Sequence, residues 1–253
     1  MSITNPSYYR LVENVVMGRA ANHVPYVSRT RLSSLGKVKT FFSKFTSGAL
    51  TMCGEKSIGF LNEAMTIVLA ERIPGDFIEA GVWRGGIPIL MRAFLHENQD
   101  NERIVFVADS FSGLPTTGLR DPRDRLASAL MRPFSQLAVS QDQVEQSFKY
   151  FGLLDRQVRF LPGWFSETLP LLPESQKFSV IRLDGDYFES TMDALVSLYP
   201  KLSTGGYLII DDYGLPLGCR KAVDDYRGQN NIQAPLTWIN GQSVYWRKPE
   251  SIQ

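Results

Sequence analysis

Asp184, Asp211 and Asp212 stand directly after two apolar runs, Phe178 to Leu183 and Tyr207 to Ile210, with one helix-length segment between the runs. Acidic residues are depleted inside strands, so acids placed just past two strands are candidates for chemistry at the strand ends. In an open parallel sheet the crevice outside the carboxyl ends of the strands is where ligands bind. Three hard oxygen donors converging there suit one oxygen-seeking divalent cation. The competing reading is turn chemistry, for which Asp184-Gly185-Asp186 also has the right residue types.

A second constellation follows an earlier apolar run. Glu79-Ala80-Gly81-Val82-Trp83-Arg84-Gly85-Gly86 occupies the place where a Rossmann-like sheet carries its glycine-rich ligand loop. A dinucleotide fingerprint needs a second glycine two residues after Gly81, so that backbone can approach a pyrophosphate. That position is Trp83, whose indole would obstruct the pyrophosphate. The loop therefore suits a ligand without one, its body lying across Gly81 and its polar end meeting Glu79 or Arg84. Asp109 ends the next strand, where an acid characteristically accepts from a pair of ribose hydroxyls. An adenosyl ligand lacking a diphosphate fits both, and S-adenosylmethionine is the common one. A nicotinamide-dependent oxidoreductase is disfavoured by Trp83 and gives the aspartates no role.

The elements that must position these residues alternate along the chain. Ile58, Leu61, Met65, Val68 and Leu69 recur at helical spacing from Glu55 to Arg72, and Pro74-Gly75 stops that helix. Strands are expected at 76–81, 103–109, 157–161, 178–183 and 207–210. Helices are expected at Gly86 to His96, with Ile87, Leu90, Met91 and Phe94 on one face, and at 142–151, 190–198 and 220–226. Leu236 to Ile239 and Ser243 to Arg247 flank Asn240-Gly241, a strong hairpin signal. This alternation predicts an α/β fold: a Rossmann-like, doubly wound, seven-stranded and mostly parallel sheet with an antiparallel C-terminal strand. Residues 110–140 hold Pro115, Gly118, Pro122 and Pro133 among many charges, too long and polar for a simple connection, and are expected to form a lid insert. Residues 1–50 form an N-terminal helical extension and 51–253 the main domain. Within the extension, Val38, Phe41, Phe42 and Phe45 could make a short apolar face. Extension and insert together are expected to wall the acceptor pocket.

At 253 residues the chain can bury a full core as one domain. No apolar run approaches the roughly 18 residues of a membrane span, and the N-terminus lacks the basic start and apolar core of a signal peptide; the cytoplasm is the expected location. Cys53 and Cys219 are far apart with no metal-ligand spacing nearby, which argues against a disulfide framework and a zinc site. His23 and His96 are similarly isolated. The net charge is +1, yet residues 1–50 carry seven basic residues against Glu13 alone. Such an arm docks on an acidic body or meets an anionic partner. RNA-binding signatures are absent, so no nucleic-acid partner is expected and a non-catalytic binding module is disfavoured.

Taken together, Pro74 to Gly86, Val107 to Pro115, Val158 to Phe165, Leu183-Asp184-Gly185-Asp186, Ile209-Ile210-Asp211-Asp212-Tyr213 and Val244-Tyr245-Trp246-Arg247 resemble the macrocin O-methyltransferase family, class I enzymes that tailor sugars. The resemblance covers roughly residues 50–247 and is specific only in combination. It implies a magnesium ion held by Asp184, Asp211 and Asp212. It also implies S-adenosylmethionine bound by Glu79, Gly81, Arg84, Asp109, Ser110, Trp164, Phe165 and Asp184, with Trp164 and Phe165 bordering the adenine unless they belong to the core. Asp184 is the expected general base, with Asp186 and Tyr187 as substitutes. The implied acceptor is a small glycosylated natural product, with a catechol or other phenol as the alternative, and a homo-oligomer is expected.

Overall fold

The computed structural model describes residues 7–19, 48–131 and 137–249. Its centre is a seven-stranded sheet. The strands are β1 (Asp76–Ala80), β2 (Val105–Asp109), β3 (Val158–Pro162), β4 (Phe178–Leu183), β5 (Leu202–Ile210), β6 (Thr237–Trp238) and β7 (Val244–Arg247). They lie in the order β3-β2-β1-β4-β5-β7-β6. Strands β3, β2, β1, β4 and β5 pair in parallel; β7 runs antiparallel to both β5 and β6, the hairpin expected around Asn240-Gly241. The order reverses between β1 and β4. That reversal opens a crevice at the carboxyl ends of the strands.

Strand alternation divides the apolar residues between two cores. Phe77, Val105, Val107, Val180, Tyr207 and Ile209 point to one face, where α2 (Glu55–Ala70) and α3 (Gly86–Glu97) cover them with Leu61, Met65, Leu90 and Phe94. Ile78, Phe106, Ile181, Leu183, Leu208 and Ile210 point to the other, against α7 (Phe188–Leu198) and α8 (Cys219–Gln229). Between these pairs come α4 (Pro122–Met131), α5 (Gln141–Tyr150) and the single turn α6 (Phe165–Thr168).

Some expectations change in detail. Helix α3 is buried from Gly86 to Leu95 rather than on one face. The reason is α1 (Tyr8–Val16), which packs Tyr9, Val12 and Val16 onto its outer side. The spacing 9-12-13-16 is helical, and Ser7 caps the helix by accepting from the amide of Arg10. The apolar set Val38, Phe41, Phe42 and Phe45 lies outside the described residues. Strand β2 begins at Val105, because the backbone amides of Arg103 and Ile104 donate to the side chains of Asp100 and Asp76 instead of to a neighbouring strand. Strand β5 starts earlier than expected, at Leu202. The 110–140 insert contains α4. Among the described residues, no helix is long and apolar enough to cross a membrane.

Candidate active site

A cavity of about 500 Å³ opens at the carboxyl end of the sheet, within the range of small-molecule sites. Gly81, Trp83, Asp109 and Ser110 line it from the β1 and β2 ends, Trp164 and Phe165 from beyond β3, and Asp184, Gly185 and Asp186 from beyond β4. Residues 112–119 of the insert and Met52 complete the wall with Glu189, Ser190 and Asp193 of α7. Two expected ligand contacts stand behind this wall: neither Glu79 nor Arg84 lines the cavity. Residues 7–19 do not line it either.

The glycine turn is shaped by close approach. Gly81 has φ +91°, and a Cβ there would lie 1.8 Å from the carbonyl oxygen of Asp184. Only glycine lets β1 and β4 converge so tightly. Gly86 leaves room for the 49–53 segment, since a Cβ on it would meet the Leu50 carbonyl at 2.6 Å. Trp83 also has a positive φ, 45°, which is uncommon for a bulky residue. Asp109 holds the turn: its Oδ2 accepts from the amides of Val82 at 2.7 Å and Trp83 at 3.3 Å. Its Oδ1 accepts the Phe111 amide at 2.8 Å. The Ser110 hydroxyl approaches that oxygen only at 3.5 Å and donates instead to the Gly113 carbonyl at 2.9 Å. Both carboxylate oxygens thus already take part in shaping the turn. Burial raises the Asp109 carboxyl against these amides. Arg84 stacks on Trp83 at 4.2 Å and donates to the Ala49 carbonyl at 2.9 Å; burial lowers it to about 10.

The carboxylates are organised by a residue that sequence reasoning passed over. Arg182 is 2% exposed inside β4. Glu79 lies directly across from it on β1, and the guanidinium pairs with that carboxylate. It also reaches Asp184 Oδ2 at 2.8 Å and Asp211 Oδ1 at 2.7 Å, and donates to Cys53 Sγ at 2.8 Å. Buried charges persist only when paired, so an arginine in an otherwise apolar strand flanked by acids was the available signal. Ser243 on the hairpin donates to Asp211 Oδ1 at 3.0 Å.

The expected metal trio is divided. Ligand atoms of Asp184, Asp186 and Asp212 lie within 4.8 Å of one another, and so do those of Cys53, Asp184 and Asp211. Asp184 belongs to both groups. The Asp186 amide donates to Asp212 Oδ2 at 3.1 Å. Burial, then repulsion from Asp184 and Asp211, pushes Asp186 up to about 8. Burial likewise raises Asp184 and, further, Asp212, where Asp186 and Asp184 add to it. Glu79 is raised by burial, partly offset by Arg182, and its Oε2 is buried without a partner. One guanidinium is thus shared among more carboxylates than it can neutralise. Crowded oxygen donors of this kind fit a hard divalent cation.

A mixed sheet of this order, with a glycine turn and acidic residues at its crevice, defines a Rossmann-like α/β protein with a ligand site at its strand ends. A model of the macrocin-O-methyltransferase (TylF) family matches residues 13–248; the chain belongs to that family and is an O-methyltransferase. It is 49% identical over 201 residues to 8-demethyl-8-(2,3-dimethoxy-alpha-L-rhamnosyl)-tetracenomycin-C 4'-O-methyltransferase of Streptomyces olivaceus, covering 79% of this chain and 76% of the relative. It is 45% identical to demethyldecarbamoylnovobiocin O-methyltransferase of Streptomyces niveus, covering 80% and 77%. The solved structure of the O-methyltransferase NovP superposes with a TM-score of 0.83 at 40% identity, covering 96% of this chain and 98% of that one.

Proposed function

We propose that the protein transfers the methyl group of S-adenosylmethionine to a sugar hydroxyl of a glycosylated natural product, with a magnesium ion at the acidic cluster. The observation that carries this reading is the meeting of two motifs in one cavity. The Gly81–Trp83 turn and Asp109 stand on one side, Asp184 and Asp186 on the other. The relatives at 49% and 45% identity are named for a rhamnosyl tetracenomycin and for demethyldecarbamoylnovobiocin, which supports a sugar acceptor over a catechol.

In this reading Gly81, Asp109, Trp164 and Phe165 would hold the adenosyl group, with the Asp109 carboxylate as acceptor for its ribose. Asp184, Asp186 and Asp212 would hold the cation, while Asp211 is bonded to Arg182 and Ser243. Bound there, the cation supplies Lewis-acid polarisation of the acceptor hydroxyl, a poor nucleophile at neutral pH. Asp184 takes the hydroxyl proton, oriented by its bond to Arg182. The remaining task is alignment of hydroxyl, methyl and sulfur, for which the insert residues 112–119 supply the acceptor-side wall.

The test is a mass-spectrometric screen for single methylation of sugars, glycosylated natural products and catechols, with S-adenosylmethionine and magnesium. Methylated glycosides, no turnover in excess EDTA and no turnover by Asp184→Asn at saturating magnesium are expected. Full turnover in EDTA, or exclusive methylation of catechols, contradicts the reading.

A further inference from the structure

Asp124 of α4 is a carboxylate with 0% exposure in the middle of the polar insert. Its Oδ1 accepts the amide of Gly218 at 2.7 Å and its Oδ2 the amide of Phe188 at 2.7 Å. Phe188 is the first residue of α7, and Gly218 is the N-cap of α8. One side chain therefore answers unpaired amides at two helix N-termini, where the dipoles favour an anion. Gly218 has no room for anything larger: a Cβ would lie 2.2 Å from Asp124 Oδ2 and 2.7 Å from the Cβ of Phe188.

The location gives this contact its consequence. Phe188 lies two residues beyond Asp186, and Gly218 ends the loop that begins with Asp211 and Asp212. The two loops bearing the crowded carboxylates meet directly through the Asp186 amide on Asp212 Oδ2, and Asp124 fastens both from behind, at the starts of the helices that follow them. A second tie joins the insert to α7, the Arg120 amide donating to Glu189 Oε1 at 2.7 Å. Resting on the functional reading above, we propose that Asp124 is a positioning residue. It sets the spacing of the β4–α7 and β5–α8 loops, and hence the cation geometry at Asp184, Asp186 and Asp212, making α4 a fixed part of the site. Residues that orient ligands from behind typically change metal affinity or activity by about 10- to 100-fold when removed.

The experiment uses the full chain with Mn²⁺ as probe, compared with Asp124→Asn and with Glu174→Gln as a control at an exposed residue outside the insert. Asp124→Asn is expected to weaken Mn²⁺ binding by about tenfold or more and to lower kcat, while S-adenosylhomocysteine affinity falls by far less, because the glycine turn and Asp109 lie on other strands. A variant that melts earlier yet binds Mn²⁺ like the parent assigns Asp124 a purely structural role and overturns the proposal. Should Asp124→Asn fail to fold, hydrogen exchange on the parent protein decides: added Mn²⁺ is expected to slow exchange at the Phe188 and Gly218 amides, and exchange indifferent to Mn²⁺ overturns the proposal. A parent protein that binds no Mn²⁺ at all instead fails the magnesium reading itself, and the inference falls with it.

Discussion

Arg182 shows how one side chain organises a site. Its guanidinium is shared by Glu79, Asp184, Asp211 and Cys53, so removing it strands several buried acids without a counter-charge. Arg182→Met should cost about 3 to 5 kcal/mol, the scale for breaking a buried ion pair from one side, measured by urea denaturation. Lysine should not rescue it, because an ammonium lacks the planar fork that reaches several acceptors. Gly81→Ala meets both a positive φ and a carbonyl 1.8 Å from the new Cβ; loss of soluble folded protein is expected, read by expression and circular dichroism. At Asp109 the loss is local. Asp109→Ala should weaken S-adenosylhomocysteine binding by about 1 to 3 kcal/mol by calorimetry, through release of the Val82–Trp83 turn as well as a lost ribose contact.

Among the elements, the N-terminal extension carries two separable parts. Helix α1 belongs to the core through Tyr9, Val12 and Val16, whereas the basic residues Lys37, Lys39 and Lys44 lie outside the described residues. Deleting residues 1–45 would therefore strip α3 of its cover as well as removing the arm. Burial of three such side chains contributes roughly 1.5 to 3 kcal/mol each as an upper bound, so the truncated protein is expected to show a clearly lower denaturation midpoint. Lys37→Ala, Lys39→Ala and Lys44→Ala combined leave α1 intact. Acceptor KM is expected to rise in that variant with the urea midpoint unchanged if the arm walls the pocket. An unchanged KM removes the arm from acceptor recognition.

For the molecule as a whole, the acidic crevice couples stability to pH and to cations. Asp186 is pushed up to about 8 by burial and by Asp184 and Asp211, and Asp184 and Asp212 are raised as well. A raised carboxyl means that the folded state binds more protons than the unfolded one, so stability falls as pH rises from the unfolded value toward the folded one. Without divalent cation, the melting temperature should decline between about pH 5 and pH 8, over the interval between ordinary carboxyl values and the raised Asp186. Added magnesium should raise it more at pH 8 than at pH 5, since protons and cation compete for the same oxygens. A cation effect independent of pH would separate the ion from these carboxylates.

Period-two strands, period-3.6 helices and glycine or proline stops are local, and they are legible in the chain. They sufficed for the order of the strands and of the long helices covering the sheet from Asp76 onward, though not for α4 within the insert or the turn α6, and for the antiparallel hairpin at Asn240-Gly241 and the position of Gly81, Trp83, Asp109 and the aspartates at strand ends. The resemblance borne by those segments identified the family. What only the tertiary structure decided depends on residues far apart in the chain. Cross-strand register put Glu79 opposite Arg182, the turn after β5 gave Asp211 and Asp212 different neighbours, and packing of α1 turned α3 from a one-faced helix into a buried one. Asp124 looked like one more charge in a polar insert, and its role arises because two helix N-termini, 30 residues apart in the chain, meet at its carboxylate. Local periodicity reports which face a residue prefers, whereas a buried charge takes its partners from chain segments that only folding brings into reach.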